Sequence, residues 1–409
     1  MKNEQNIRPV GGVEKLFLVL NRIAPKTFAM SAELNVCVTE NQITEFAIAI
    51  QQRYKHLRAN LMIDENLNYW FNYDNRNPIE VSTAEYTDPE TWKRKLESEL
   101  CKPFNLARGP LFRILLLSGS NKTTVVLLAH HSIGDGFSMI SIFEDLLIFL
   151  KGEILEEFQI PQSMDQVLGL EDKINITAKL KDMESYQKAH LDPGESKVYI
   201  DNLKLDQQTT SAIVKESKKR GITVNGLLNA ALAMAIAEKG YSRVNRVISL
   251  RTPASVRHVL GTGKDFGLNI ITRLSDLKID SASDIWELGR KVNVDLKDIG
   301  SEEETRAYVS QFRHLLFQPM KFEWFVNVIG STAGIDLMLS NLGKIEFTES
   351  KDNVAITALW GPVVIAGDGS EQTIGALTLS GELHLTHTSM EPAEGLLVKA
   401  CEMILKHIS

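Results

Sequence analysis

Cysteine is scarce in this chain, and what there is lies scattered. The three cysteines among 409 residues, Cys37, Cys101 and Cys401, form no Cys-x-x-Cys pair. That excludes a disulfide framework and a cysteine-rich zinc site, and it fits a reducing compartment. An excess of positive charge is missing too. Lys and Arg number 45 against 52 Asp and Glu, a formal net charge of -7, so the basic footprint of a nucleic-acid binder is absent. No apolar run reaches the ~20 residues that a membrane helix needs. Residues 1–9 are polar and carry no apolar segment of a secretory signal, which leads to the expectation of a cytoplasmic protein. Low-complexity tracts and short repeats are absent as well, which excludes a repeat array.

What is present is an ordinary globular composition, 44% hydrophobic and 24% charged. The length is generous for one core and comfortable for two. Strand patterns fall at residues 30–38, 58–63, 69–73, 111–117 and 123–131, with helices at 41–54, 88–100 and 137–150. Residues 151–194 are charged, weakly periodic and broken by Pro161, Pro193 and Gly194, which reads as a crossover linker with some helix in it. A second series follows: strands at 198–203, 246–250 and 268–274, helices at 206–220 and 224–239, then a long helical region over 283–325. Strands at 336–339, 354–360, 373–379 and 382–387 and a closing helix at 391–407 complete it. The expected organisation is an α/β chain of α+β sandwich type: an N-terminal subdomain (1–150), a linker (151–194) and a C-terminal subdomain (195–409).

The most informative stretch is His130-His131-Ser132-Ile133-Gly134-Asp135-Gly136. It follows Thr124-Val125-Val126-Leu127-Leu128-Ala129, apolar on both faces and so a buried central strand. Asp-Gly marks the turn into the next helix. Strand alternation puts His131 on the face of Val125, Leu127 and Ala129, and His130 on the opposite face. Only one histidine can point into a given cavity. A histidine with a pKa near working pH is suited to accept a proton from an attacking hydroxyl or amine. A metal site at His130, His131 and Asp135 is disfavoured, because the histidines diverge and no third ligand stands close in sequence.

A His-His-x-x-x-Asp-Gly run at a strand-to-helix corner resembles the acyltransferases of the chloramphenicol acetyltransferase-like superfamily, which includes nonribosomal peptide condensation domains. Other stretches resemble the same group, in the right order. Arg53-Tyr54-Lys55-His56-Leu57-Arg58 is similar to its Arg-His-Pro-x-Leu-Arg run, with Lys55 in place of proline. Pro103-Phe104-Asn105-Leu106 with Gly109-Pro110-Leu111-Phe112-Arg113, and Ser340-Asn341-Leu342-Gly343, resemble two further segments. Thr223-Val224-Asn225-Gly226-Leu227-Leu228, and Leu385-Thr386-His387 before Glu391-Pro392, look like the polyketide-associated branch of phthiocerol dimycocerosyl transferase type. The resemblance implies two chloramphenicol acetyltransferase-like subdomains with an active-site tunnel between them, entered by donor and acceptor from opposite faces.

The resemblance also assigns roles. His131 is the general base and His130 is structural. Asp135 pairs with an arginine of the second half rather than orienting the base, with Arg257 the best match and Arg251 the runner-up. Gly136 lets the helix start approach closely. Oxyanion or substrate contacts are expected from the backbone N–H groups at residues 135–138, the Ser138 hydroxyl and Asn341. His387 is a further candidate substrate contact, while His384 and the cysteines read as structural. The expected activity is transfer of an acyl group from a coenzyme A or carrier-protein thioester to an alcohol, with no bound cofactor and no metal. Acyl-CoA or an acyl carrier protein is then the donor partner and a small alcohol or amine the acceptor. An amide-forming condensation enzyme uses the same base, and a non-catalytic recruiter of carrier proteins is the alternative of another class. The sequence leaves acyl chain length, acceptor and donor form open.

Overall fold

The computed structural model describes residues 6–65, 68–74, 76–119, 122–171, 181–182, 198–240, 247–317, 334–347, 354–367 and 369–408. In chain order the elements are β1 (Ile7–Pro9), α1 (Gly12–Leu20), β2 (Thr27–Leu34), α2 (Glu40–Arg53), β3 (Asn60–Ile63), β4 (Tyr69–Asn72), β5 (Glu80–Glu85), α3 (Thr91–Cys101), β6 (Phe112–Ser118), β7 (Thr123–His130), α4 (Gly136–Leu150), α5 (Met164–Val167) and β8 (Lys181–Asp182). There follow β9 (Tyr199–Leu205), α6 (Gln207–Lys219), α7 (Val224–Glu238), β10 (Val247–Ser255), α8 (Arg257–Leu260), β11 (Ile270–Lys278), α9 (Ile285–Asp295), α10 (Glu302–Leu316), β12 (Leu337–Ile345), β13 (Ile356–Val364), β14 (Gln372–Leu379), β15 (Glu382–Ser389) and α11 (Leu396–Ile408).

Two mixed sheets dominate. The first has the order β13-β2-β7-β6-β5, with antiparallel β2 and β6 on either side of β7. Every residue of β7 is buried, as an apolar strand covered on both faces must be. The second has the order β11-β10-β12-β14-β15-β9. A small sheet, β1-β4-β3-β8, flanks the first. β13 comes late in the chain yet pairs with β2 and completes the first sheet. It also crosses the second: a Cβ on Gly375 of β14 would collide with the Pro362 carbonyl of β13, so only glycine allows that approach.

Each large sheet has its own apolar core. One gathers β2, β6 and β7 with α2, α3 and α4 around Phe28, Phe46, Phe112 and Phe143. The other buries α7, α9 and α11 on β10, β12, β14 and β15. α7 is apolar on nearly all sides, and ten of its residues are buried, the pattern of a helix enclosed by its neighbours. A third cluster stitches α1, α5, α8 and α10 together through Val13, Met164, Val256, Leu260, Ile271 and Val309.

Three expectations need correction. The helix expected over 283–325 is two helices: the chain reverses at Asp298 (φ 62°) and Gly300 (φ 80°), and Ser301 caps α10 through the Glu304 N–H. Residues 318–325 lie outside the described residues, as does most of 172–194 within the expected linker. The strand expected to end at Leu250 runs on to Ser255. Beyond Arg251 it has no registered partner on the β12 side, so Pro253 leaves no ladder donor missing there. Finally, α1 and β5 were not expected at all. α1 starts at Gly11, which has no capping side chain. Its first N–H groups are satisfied instead by Glu14 (from Gly11, 2.7 Å) and by Asp165 of α5 (from Gly12, 2.9 Å).

Candidate active site

β7 ends at His130 and the chain turns sharply. The His131 N–H donates to the Lys26 carbonyl (2.7 Å) and the Ile133 N–H to the His130 carbonyl (3.0 Å). α4 then begins under an N-cap: Asp135 Oδ1 accepts from the Ser138 N–H at 2.9 Å. This corner delivers His131 to a cavity lined mainly by apolar groups, among them Phe17, Phe28, Phe137, Ile270, Met338 and Leu342. Its empty volume is about 920 Å³, counted to its open mouth.

His131 is only 8% exposed. Its ring is held between Phe17 (centroids 4.3 Å apart) and Phe28 (4.4 Å), both stacked. Nδ1 lies 3.0 Å from the Gly134 carbonyl oxygen. A carbonyl only accepts, so the proton of the neutral ring is assigned to Nδ1 and Nε2 carries the lone pair. Burial pushes the pKa down to about 4, opposed by the Asp135 charge and the Gly134 hydrogen bond. At neutral pH the ring is therefore uncharged and able to accept a proton.

His130 is buried on the other side of the strand. Its Nδ1 meets the Ser132 hydroxyl (2.8 Å) and accepts the Ser132 N–H (3.2 Å). Burial, with the neighbouring His131 and Lys26, lowers its pKa to about 3. His130 is not among the residues that line the cavity.

Asp135 makes no hydrogen bond to His131; the Gly134 carbonyl holds that ring instead. The Asp135 carboxylate is buried and ion-paired to Arg257 Nη2 at 2.9 Å. It also accepts from the Ser138 hydroxyl (3.1 Å) and, at Oδ2, from the Asn269 N–H (2.9 Å). Arg257 Nη1 and Nη2 also donate to the carbonyls of Gly263, Asp265 and Gly267. This network ties the His131 corner to the 263–269 loop of the second half. Arg251, the runner-up partner, lines the cavity and takes no part in it. At Gly136 a Cβ would meet Leu342 Cδ2 at 2.9 Å and Pro362 Cγ at 3.1 Å, so glycine lets β12 and β13 close over the start of α4.

The remaining expected contacts divide. Asn341 lines the cavity, and its Oδ1 accepts the Gly343 N–H (2.9 Å), which leaves the Nδ2 amide as its donating end. It also borders a second cavity with Thr210, Val224 and Lys344. Ser138 is a correction. It is fully buried, and its hydroxyl is engaged with Asp135, Arg257 and Gly267, so it has nothing to offer a substrate. His387 is another. It is buried against Tyr199, bonded through Nε2 to Gln372 Oε1 (2.9 Å), and absent from the cavity lining. Phe17, Phe28 and Lys26 were missed by sequence reasoning, because α1 was not foreseen and β2 was started three residues late. Among the described residues no cluster of three His, Cys, Asp or Glu side chains converges to hold a metal ion. No single described helix is long and apolar enough to cross a membrane.

Comparison with known proteins places this geometry. Residues 25–262, more than half the chain, match the condensation domain family model. Residues 194–385 match that of the phthiocerol/phthiodiolone dimycocerosyl transferase C-terminus. Surfactin synthase subunit 1 of Bacillus subtilis is 28% identical over 166 residues, 38% of this chain and 4% of that protein. Tyrocidine synthase 3 of Brevibacillus parabrevis is 33% identical over 84 residues, 20% of this chain and 1% of that protein. The chain thus spans only a few per cent of the length of these relatives. Polyketide synthase associated protein 5 from Mycobacterium tuberculosis superposes with a TM-score of 0.67 at 14% identity, covering 100% of this chain and 99% of that one. The first condensation domain of the CDA synthetase gives 0.66 at 13% identity, covering 99% and 96%. These likenesses establish the fold, two chloramphenicol acetyltransferase-like subdomains. By its sequence match, its fold and the order of its motifs, the chain belongs to the condensation-domain family.

Proposed function

We propose that this protein transfers an acyl group from a thioester, carried by coenzyme A or by a phosphopantetheinyl carrier protein, to a small alcohol. The observation that carries the reading is the His131 ring, fixed between Phe17 and Phe28 with Nδ1 on the Gly134 carbonyl and Nε2 as the basic atom. Nε2 takes the proton of the acceptor hydroxyl as its oxygen attacks the thioester carbonyl. The tetrahedral intermediate then collapses, the C–S bond breaks, and the departing thiolate recovers the proton from the imidazolium. The flanking phenyl faces stabilise that transient cation.

Negative charge develops on the former carbonyl oxygen. The first N–H groups of a helix have no acceptor within it, and Gly136 and Phe137, which begin α4, both line the cavity. With Asn341 Nδ2 they are the donors assigned to the oxyanion. The Asp135 charge next to them would oppose this, and pairing with Arg257 offsets it. The two cavities have Asn341 in common, which supports separate approaches for donor and acceptor in this reading. Membership of the condensation-domain family makes a carrier protein a natural donor partner.

The test is acceptor-dependent release of free thiol. The protein is incubated with octanoyl-CoA or an octanoyl carrier protein, with alcohol and amine panels, and products are identified by mass. Ester formation with alcohols is expected. Amide formation alone moves the assignment to condensation chemistry, and no acceptor-dependent release with either donor refutes acyl transfer.

A further inference from the structure

The cavity that holds His131 also holds an arginine with nothing to bind. Arg251 sits in β10, opposite Leu274 of β11 and Met338 of β12, and lines the cavity. Other arginines of the interior have acceptors for their terminal nitrogens: Arg8, Arg53, Arg257 and Arg273 pair with Glu14, Asp145, Asp135 and Glu304, and Arg113 donates to the carbonyls of Glu99 and Lys102. Among the described residues Arg251 has no hydrogen-bond acceptor and no ion pair, and its Nε is buried without a partner. A guanidinium keeps its charge at any accessible pH and offers a planar fork that matches an oxyanion. The side chain is half-buried and its Nε fully so, and holding a charged donor out of water without an acceptor is costly.

The other charges at the cavity are committed. Lys26 Nζ donates to the Gly367 carbonyl at 2.7 Å. Asp135 is paired to Arg257. The nearby Tyr308 hydroxyl is neutral and bonded to Thr272 (3.2 Å). Arg251 therefore presents a guanidinium without an acceptor among apolar walls that include Phe17, Leu20, Ile270 and Met338. Such a site fits an amphipathic anion, with an apolar body against the walls and an oxyanion on the fork.

We propose that Arg251 is a specificity-determining residue that binds a carboxylate of the substrate, so that one of the two reactants entering this cavity is an acid with an apolar chain. The assignment rests on the acyl-transfer reading of the cavity. An oxyanion could also come from the phosphate of a pantetheine arm, and the experiment separates the two sources.

Calorimetric titration of the full chain with octanoate and its neutral isostere octanamide, and with phosphopantetheine and pantetheine, reads the preference at equilibrium without turnover. Octanoate is expected to bind wild type roughly 10-fold more tightly than octanamide, as a charged hydrogen bond would give. Arg251→Gln should abolish that gap, Arg251→Lys should restore part of it, and the phosphopantetheine-to-pantetheine ratio should stay as in wild type. A thermal melt checks that both variants are folded. The proposal is overturned if wild type does not bind octanoate, does not prefer it, or if the preference survives in Arg251→Gln. Loss of the phosphopantetheine gap instead would assign the fork to the donor phosphate. None of these failures affects acceptor-dependent thiol release, so they remain distinct from failure of the acyl-transfer reading.

Discussion

Removing Asp135 or Arg257 should break one interaction only once, and the size of that effect follows from its surroundings. The carboxylate side chain is 1% exposed and the guanidinium 10%, with 2.9 Å between them. Truncating one partner of a buried pair costs roughly 3–5 kcal/mol, because the survivor is left charged and unpaired. Here the survivors are softened. Arg257 keeps three carbonyls and the Ser138 hydroxyl, and Asp135 keeps the Ser138 and Asn269 N–H groups. The lower end, about 3 kcal/mol, therefore applies to Arg257→Ala. Asp135→Ala adds the lost α4 N-cap, about 1 kcal/mol more. The double variant should lose little beyond the Asp135→Ala value, a coupling of about 3 kcal/mol. Urea unfolding followed by tryptophan fluorescence on the four proteins measures it. Losses that add to within about 0.5 kcal/mol would refute the pair as the fastener of the His131 corner.

The same geometry makes two more demands. Phe17→Ala opens one face of the His131 ring, so its pKa should climb from about 4 toward the ordinary 6.5, and the rate should fall about 10-fold as the ring loses its fixed orientation; an NMR titration of the imidazole that finds no rise refutes the burial argument. His130, His131 and His387 are buried, with pKa values pushed down to about 3, 4 and 4. The unfolded chain protonates first as pH drops below 6.5, so their stabilisation is complete above that pH and drains away as pH falls toward the folded values, roughly 3 kcal/mol for His131 alone. Urea midpoints should drop steadily over this window, and the drop should be shallower in His387→Gln; a flat profile in wild type contradicts the neutral buried state.

The strand–corner–helix unit is legible in the sequence because β7 is apolar on both faces and Asp135 is a local cap, visible from residue types within a few positions. The Asp135–Arg257 pair spans 122 positions and entered only through resemblance. α1 escaped notice because its cap is tertiary, supplied partly by Asp165 from 153 positions away. With it escaped Phe17, one of the two rings that hold the histidine. Ser138 and His387 looked available because hydroxyls and imidazoles suit catalysis; beside the local Asp135–Ser138 cap, the bonds that occupy them reach Arg257, Gly267 and Gln372 and have no signature in spacing. Arg251 shows the converse, since an arginine in a strand reveals its lack of a partner only once its neighbours are known.

The proposed acyl transfer turns on His131 Nε2 as its base. The direct measurement is acceptor-dependent thiol release by His131→Ala beside wild type, with unfolding transitions recorded on the same preparations. With Nε2 as the base, His131→Ala should react roughly 100- to 10,000-fold more slowly while still unfolding cooperatively. A folded His131→Ala protein that turns over within a few-fold of wild type would contradict it.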